Sequence, residues 1–274
     1  MSNSSLSLNS HEAPSASLLS SFRTQLRVIG ALLMREVLTR YGRKNIGFLW
    51  LFVDPILFTV TIAFVWTQVH LRHFEAIPIF AFVLVSYSTV PLWRRTTSLC
   101  MSAIEPNKAL LYHRHITVLD FYISRTLLED AGSTMAFVIL VLFFALLGAM
   151  PLPVDPLQVT AGWMLLAWFG FGLALVVGSA VHRVPLMQKA WRPISLVLFL
   201  CSAVVFPMDA APPQAREILL WLPLVSGIEY LREGYFGPVI TYYYDIFYMI
   251  VCNLLLTIAG LVSVRLLGSR TIAD

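Results

Sequence analysis

Six apolar stretches, at 46–69, 77–93, 119–149, 159–181, 193–208 and 245–267, divide this chain of 274 residues. A helix crossing a bilayer core needs about 20 predominantly apolar residues; most of the six reach that length, and the second and fifth are short. Threaded as alternating spans with the N-terminus inside, they leave only Arg72, Arg216 and Arg232 of the 19 Lys and Arg residues on the outer side. That is the basic-residue bias that orients inner-membrane proteins, and the opposite threading would reverse it. The expected class is an all-α integral membrane protein with six transmembrane helices and both termini cytoplasmic.

Composition agrees. With 58% hydrophobic and 12% charged residues and a mean hydropathy of +0.77, a soluble domain of this length would lack the polar surface to cover itself. The net charge of +4 comes from short juxtamembrane segments that suit anionic headgroups, so nucleic acid is not an expected partner. Cys100, Cys201 and Cys252 are odd in number and widely spaced, which offers neither a disulfide framework nor a metal site. Residues 1–17 are polar and Ser-rich, without the basic and apolar regions of a signal peptide, and read as a disordered cytoplasmic tail.

Outside the spans, residues 18–42 place Phe22, Leu26, Ile29, Leu33 and Val37 on one helical face and turn Arg23, Arg27 and Arg35 largely away, the pattern of a helix lying in the membrane interface. Inside the first span, Asp54 precedes Pro55. A charge at that depth faces protein or water, not lipid, and either lines a substrate path or pairs with Arg94 or Arg95. Between the second and third spans, residues 105–115 form a candidate cytoplasmic helix with Pro106 in its first turn and an apolar ridge at Leu110, Leu111 and Tyr112, as a partner-docking helix has. Residues 209–244 are too polar for a span and too apolar for a free loop. They predict a helix from Pro212 to about Leu222 and a second from Leu224 to a Gly234 cap, each about 15 Å long at about 1.5 Å per residue. Two such helices fit a re-entrant hairpin beside a wet cavity, or helices flat on the outer surface.

The chain has no GxxxxGK[ST] phosphate loop, no HExxH and no GxSxG, so it does not hydrolyse ATP by the usual route. Glu129 and Asp130 point about 100° apart on a helix, and an ion pair of Glu129 with Arg125 one turn earlier is the plainer account. His113 and His115 have the wrong spacing for one face, and His70 with His73 is a weak metal signal. Trp66, Trp93, Trp163 and Trp221 fit the interfacial aromatic belt.

Three blocks, ALLMREVLTRYGRKNIGFLWLFVDP at 31–55, EPNKALLYHRHITVLD at 105–120 and GIEYLREGYFG at 227–237, closely resemble the membrane subunits of type 2 ABC exporters for capsular polysaccharide, the KpsM-like family. The resemblance covers nearly the whole chain after about residue 20. It implies an ABC-2 type transmembrane domain over 18–274 that homodimerises, recruits two copies of a separate ATPase subunit, and moves a lipid-linked, usually acidic, polymer across the Gram-negative inner membrane. A polysaccharide co-polymerase and an outer-membrane export protein would complete the path. ATP and Mg would be bound by the ATPase subunit, with no cofactor or metal in this chain.

By the same resemblance, residues 105–115 would be the coupling helix, with Glu105, Pro106, Asn107, Lys108, Leu111, Tyr112, His113 and Arg114 meeting the ATPase. Arg35, Arg40 and Arg43 would receive acidic groups at the cytoplasmic entrance, with Asp54 on the pathway. Residues 212–237 would be the re-entrant helices, with Arg232 and Glu233 gating the exit. An O-antigen or teichoic-acid permease is the neighbouring reading. A membrane glycosyl- or phosphotransferase would need clustered cytoplasmic carboxylates, which the sequence does not show, and a capsule-synthase scaffold would leave export independent of this chain.

Overall fold

A computed structural model of the chain describes residues 18–41, 46–68, 77–112 and 116–271. Among these it is helical, with no strand. The tail at 1–17, Arg43, His113 and Arg114 lie outside the described residues, and the side chains of Arg40 and Tyr112 are likewise not described.

The chain runs through α1 (Leu18–Tyr41), α2 (Ile46–Gln68), α3 (Ile79–Ser88), a π-helical segment (Pro91–Arg95), α4 (Thr96–Cys100), a 3-10 helix (Glu105–Tyr112), α5 (Val118–Leu146) and α6 (Pro156–Arg183). It continues through α7 (Leu186–Cys201), a 3-10 turn (Met208–Ala210), α8 (Pro213–Leu219), α9 (Pro223–Phe236) and α10 (Ile246–Thr271). Among the described residues, three helices are long and apolar enough to cross a membrane: α5, α6 and the Ile246–Leu267 part of α10; α2 carries a shorter apolar run, Val53–Trp66.

The centre of the molecule is α6. Pro156 at its first position and Asp155 at its N-cap, whose carboxylate accepts from the backbone N–H groups of Leu157 and Gln158, fix where it starts. From there it packs against α10, α9, α4 and the π-helical segment. Small residues let helices approach where lipid supplies no hydrophobic drive between them, and Gly170 is the extreme case: a Cβ there would sit 2.1 Å from the Leu92 carbonyl oxygen. Two polar ties join α6 to α10: Trp168 donates to Thr257 at 3.0 Å and Asn253 donates to the Leu165 carbonyl at 3.0 Å.

Several elements differ from the sequence expectation. The second apolar stretch does not stop at Trp93; the helix widens into the π-helical segment and continues to Cys100, so Arg94 and Arg95 lie on a helix packed within the fold. The fifth starts at Leu186 and ends at Cys201, not 193 and 208, because Pro193 is accommodated inside α7 and buried Trp191 anchors its first turns by donating to Ser98 at 2.9 Å.

The two helices after α7 are unequal: about 10 Å for α8 and about 21 Å for α9 at about 1.5 Å per residue. Gly234 is not the cap. It lies within α9, where a Cβ would meet the Gln158 side chain at 2.8 Å, and Gly237, with φ +73°, ends the helix. No α8 residue is buried, whereas Leu224, Val225, Ile228, Leu231 and Tyr235 of α9 are fully buried.

On α1, Gln25, Val28, Leu32 and Glu36 turn toward α5, while Phe22 and Leu26 of the stripe expected to face the membrane interface stay exposed, as do Met34 and Leu38.

Candidate functional site

The 3-10 helix is fastened to the body from behind. Buried Asn107 donates to the Ala103 carbonyl at 2.8 Å and accepts from Arg35 of α1 at 2.5 Å. The next residue of α1, Glu36, lies 2.9 Å from Arg125 of α5. Arg125 in turn donates to the Leu99 carbonyl at 2.6 Å and to Ser102 at 3.3 Å, just ahead of the 3-10 helix. At the other end of α1, Gln25 donates to Asp120, the residue that forms a capping box with Thr117 at the start of α5. A cavity of about 130 Å³ lies among Arg35, Glu36, Asn107, Ser124 and Arg125. The segment 105–112 therefore cannot shift without pulling on both α1 and α5.

Its outward face is not the apolar ridge that the sequence suggests. Leu110 and Leu111 are half-buried against the cluster that includes Leu32, Cys100 and Phe121, while Glu105, Pro106, Lys108 and Ala109 are exposed. Glu105 and Lys108 form a pair at 3.0 Å; exposed as it is, that pair adds little stability and leaves two charges presented outward.

A second constellation surrounds Asp54. Arg95, carried by the π-helical segment, lies 3.4 Å from Asp54 of α2 and 2.8 Å from Glu129 of α5. Glu129 is 2% exposed, Asp54 48%. Of the two alternatives for Asp54, pairing with Arg95 is therefore present, and the same carboxylate also opens onto a cleft of about 460 Å³ beside Pro55, Phe58 and Arg94. Glu129 and Arg125 each have a partner on another helix. π-helical turns insert an extra residue into the helical register and recur at functional sites; here the turn sets Arg94 and Arg95 side by side.

The adjacent Arg232 and Glu233 diverge. Arg232 is fully buried: it pairs with Glu229 at 2.8 Å, donates to the Ala203 carbonyl at 2.6 Å and rests 4.7 Å from the Phe82 ring. Glu229 also accepts from the backbone N–H groups of Met208 and Tyr243. Ala203 itself sits at φ 61°, unusual for a residue with a Cβ. Together these contacts bind α9 to α3 and to the connection after α7. Glu233 instead accepts from Gln158 at 3.0 Å and from the Tyr244 hydroxyl at 2.5 Å. Burial and the neighbouring Glu233 carboxylate push the Tyr244 phenol up to about 12.

Among the described residues no group of His, Cys, Asp and Glu is placed to hold a metal ion. The sequence reading missed Glu36 and Glu229 as members of these networks, and it considered Arg125 and Glu129 only as a pair with each other, without their contacts to Glu36 and Arg95. Only the i,i+3 spacing of Glu229 and Arg232 was a usable signal; the others find partners far along the chain.

Residues 27–236 match the model of the ABC-2 type transporter family. The chain is 40% identical over 250 residues, 91% of its length and 94% of the relative's, to the capsule polysaccharide export inner-membrane protein CtrC of Neisseria meningitidis serogroup A. It is 40% identical over 245 residues to the protein BexB of Haemophilus influenzae, described in the same words, covering 89% of this chain and 92% of BexB. Against the polysialic acid transport protein KpsM of Escherichia coli the identity is 26% over 246 residues, 90% of this chain and 95% of KpsM. With apolar helices, glycine-mediated packing and a family match over most of its length, the chain belongs to the ABC-2 type transporter family of membrane proteins.

Proposed function

We propose that the chain is the membrane subunit of an ATP-driven exporter that carries a lipid-linked capsular polysaccharide outward across the inner membrane of a Gram-negative bacterium. The observation that carries this reading is the 40% identity, over nine-tenths of the chain, to a protein described as a capsule polysaccharide export inner-membrane protein. In this reading six spans place both termini in the cytoplasm, and α1 lies in the cytoplasmic interface with Phe22 and Leu26 toward lipid. The pair α8–α9 re-enters from outside. The subunit works as a homodimer with two ATPase subunits, which hold ATP and Mg, and passes polymer to a co-polymerase and an outer-membrane export protein.

The 3-10 helix at 105–112 is the contact to the ATPase. Movement of the ATPase pushes on its exposed face, and the Arg35–Asn107 and Glu36–Arg125 contacts pass the thrust to α1 and α5. Arg35 is thereby a transmitting residue, and Arg232 with Glu229 holds the hairpin while Glu233 and Tyr244 border it.

Ala109→Arg tests the docking assignment, because Ala109 is exposed and the change leaves the buried side of the segment alone. The expected result is normal membrane insertion, loss of ATPase co-purification and polymer retained in the cytoplasm. Undiminished co-purification would rule out docking here, and surface polymer in a strain lacking the gene would rule out export.

A further inference from the structure

The cleft of about 460 Å³ between α2 and the π-helical segment has the volume of a small-molecule site and a lining that helix packing does not account for. Arg95 is already matched by Glu129 at 2.8 Å. Asp54 is thus a second carboxylate on a satisfied cation, 3.4 Å away and 48% exposed, inside an apolar helix where a charge is expensive. Arg94 is a cation without a carboxylate partner among the described residues: its Nε reaches Ser195 at a long 3.4 Å and its guanidinium lies 5.8 Å from the Phe199 ring. An acceptor with spare capacity and a donor fork with spare capacity therefore face one opening.

The remaining wall is Pro55, Val90, Pro91, Ser98 and one aromatic ring, that of Phe58. Phe58 is 39% exposed and lines the cleft; its ring contacts Tyr87 at 6.3 Å, and Tyr87 meets Phe199 edge-on at 5.6 Å. Trp66 holds the Tyr87 hydroxyl at 3.0 Å, so this aromatic row is braced.

We propose that this cleft binds one sugar unit of the exported chain, an assignment that rests on the export reading. A pyranose carries both kinds of surface found here. Its C–H face has the slight positive charge that suits the negative face of Phe58. Its hydroxyls donate to Asp54, and another hydroxyl or its ring oxygen accepts from the Arg94 fork. A phospholipid headgroup also offers an oxyanion to Arg94, but Asp54 in the same opening repels it and gives a neutral hydroxyl donor the advantage.

The test places the photo-crosslinker p-benzoylphenylalanine at position 58, and separately at position 64 on the same helix, in the full chain assembled with its ATPase in living cells. Phe64 is exposed and away from the cleft lining. The expected result is an adduct at 58, absent at 64, that stains for carbohydrate. Its yield per molecule of assembled complex falls about tenfold in Arg94→Ala, the loss of one charge-assisted hydrogen bond, and recovers in part in Arg94→Lys. If Arg94→Ala fails to assemble, Asp54→Asn is expected to lower the yield in the same direction. An adduct labelled by phospholipid and not by carbohydrate, no adduct at 58, or a yield indifferent to Arg94 and Asp54 would overturn the assignment. If polymer still reaches the surface in the gene deletion, export itself fails; if the deletion blocks export but position 58 captures no sugar, only the cleft fails.

Discussion

Gly170→Ala sets two opposite forces against each other. In an ordinary helix interior the change gains up to about 1 kcal/mol, because glycine gives up more backbone freedom. At this position the new Cβ would lie 2.1 Å from the Leu92 carbonyl oxygen, 2.9 Å from its carbon and 3.0 Å from the Trp93 Cα. All three are backbone atoms, so no rotamer change relieves the overlap. Restoring contact requires α6 and the π-helical segment to separate by roughly 1 Å, and Leu92 and Trp93 are fully buried at that seam. Overpacking of this kind costs about 1–3 kcal/mol and occasionally more. With only backbone to yield, the upper end applies, and the net loss is about 2 kcal/mol after the propensity gain. At roughly 2–4 °C per kcal/mol for a chain of this size, the protein in detergent should lose its monodisperse fraction several degrees below the wild type on heating. Gly30 of α1 is the internal control, since a Cβ there meets nothing within 4 Å; Gly30→Ala should hold or raise the midpoint. A Gly170→Ala protein that melts at or above the wild type would refute the close approach on which this packing argument depends.

The Glu229–Arg232 pair makes a sharper comparison than either residue alone: with both side chains at zero exposure, Glu229→Leu leaves an unmatched buried cation and should cost about 3–5 kcal/mol, whereas the double change Glu229→Leu with Arg232→Met should recover most of it. Heat-inactivation midpoints of the three proteins decide this, and a double variant no better than the single one would contradict it. Around Arg95, Glu129→Gln should reduce the folded yield and Asp54→Asn should not, because Glu129 is the buried, closer partner at 2.8 Å and Asp54 the exposed one at 3.4 Å; equal folded yields in membrane extracts would mean that Asp54 shares the structural role.

What the chain order makes local was legible in it. The apolar runs that became α5, α6 and α10 were visible because lipid demands a long uninterrupted stretch. What depends on a distant partner was not. Arg94 and Arg95 look like the end of a span because charge normally signals water; here Glu129, 34 positions along the chain, lets Arg95 sit within the fold. Gly234 looks like a cap because glycine commonly ends helices, yet its missing side chain serves contact with Gln158, and Gly237 does the turning. The ridge at Leu110 and Leu111 has the pattern of a docking surface, and only the position of Leu32 on α1 shows that it faces inward. The blocks at 31–55 and 105–120 hold two residues that meet in the fold, but Arg35 reaches Asn107 across 72 residues of sequence, a pairing that no local spacing announces.

The receptors for the Arg232 side chain bear on how the protein is made. Phe82, Ala203 and Glu229, which surround its guanidinium, all precede it in the chain, and synthesis proceeds from the N-terminus. When this arginine leaves the ribosome its counterion and its carbonyl acceptor have already been translated, so a side chain costly to strip of water has both partners at hand and need not wait, bare, in hydrocarbon, for them to be made.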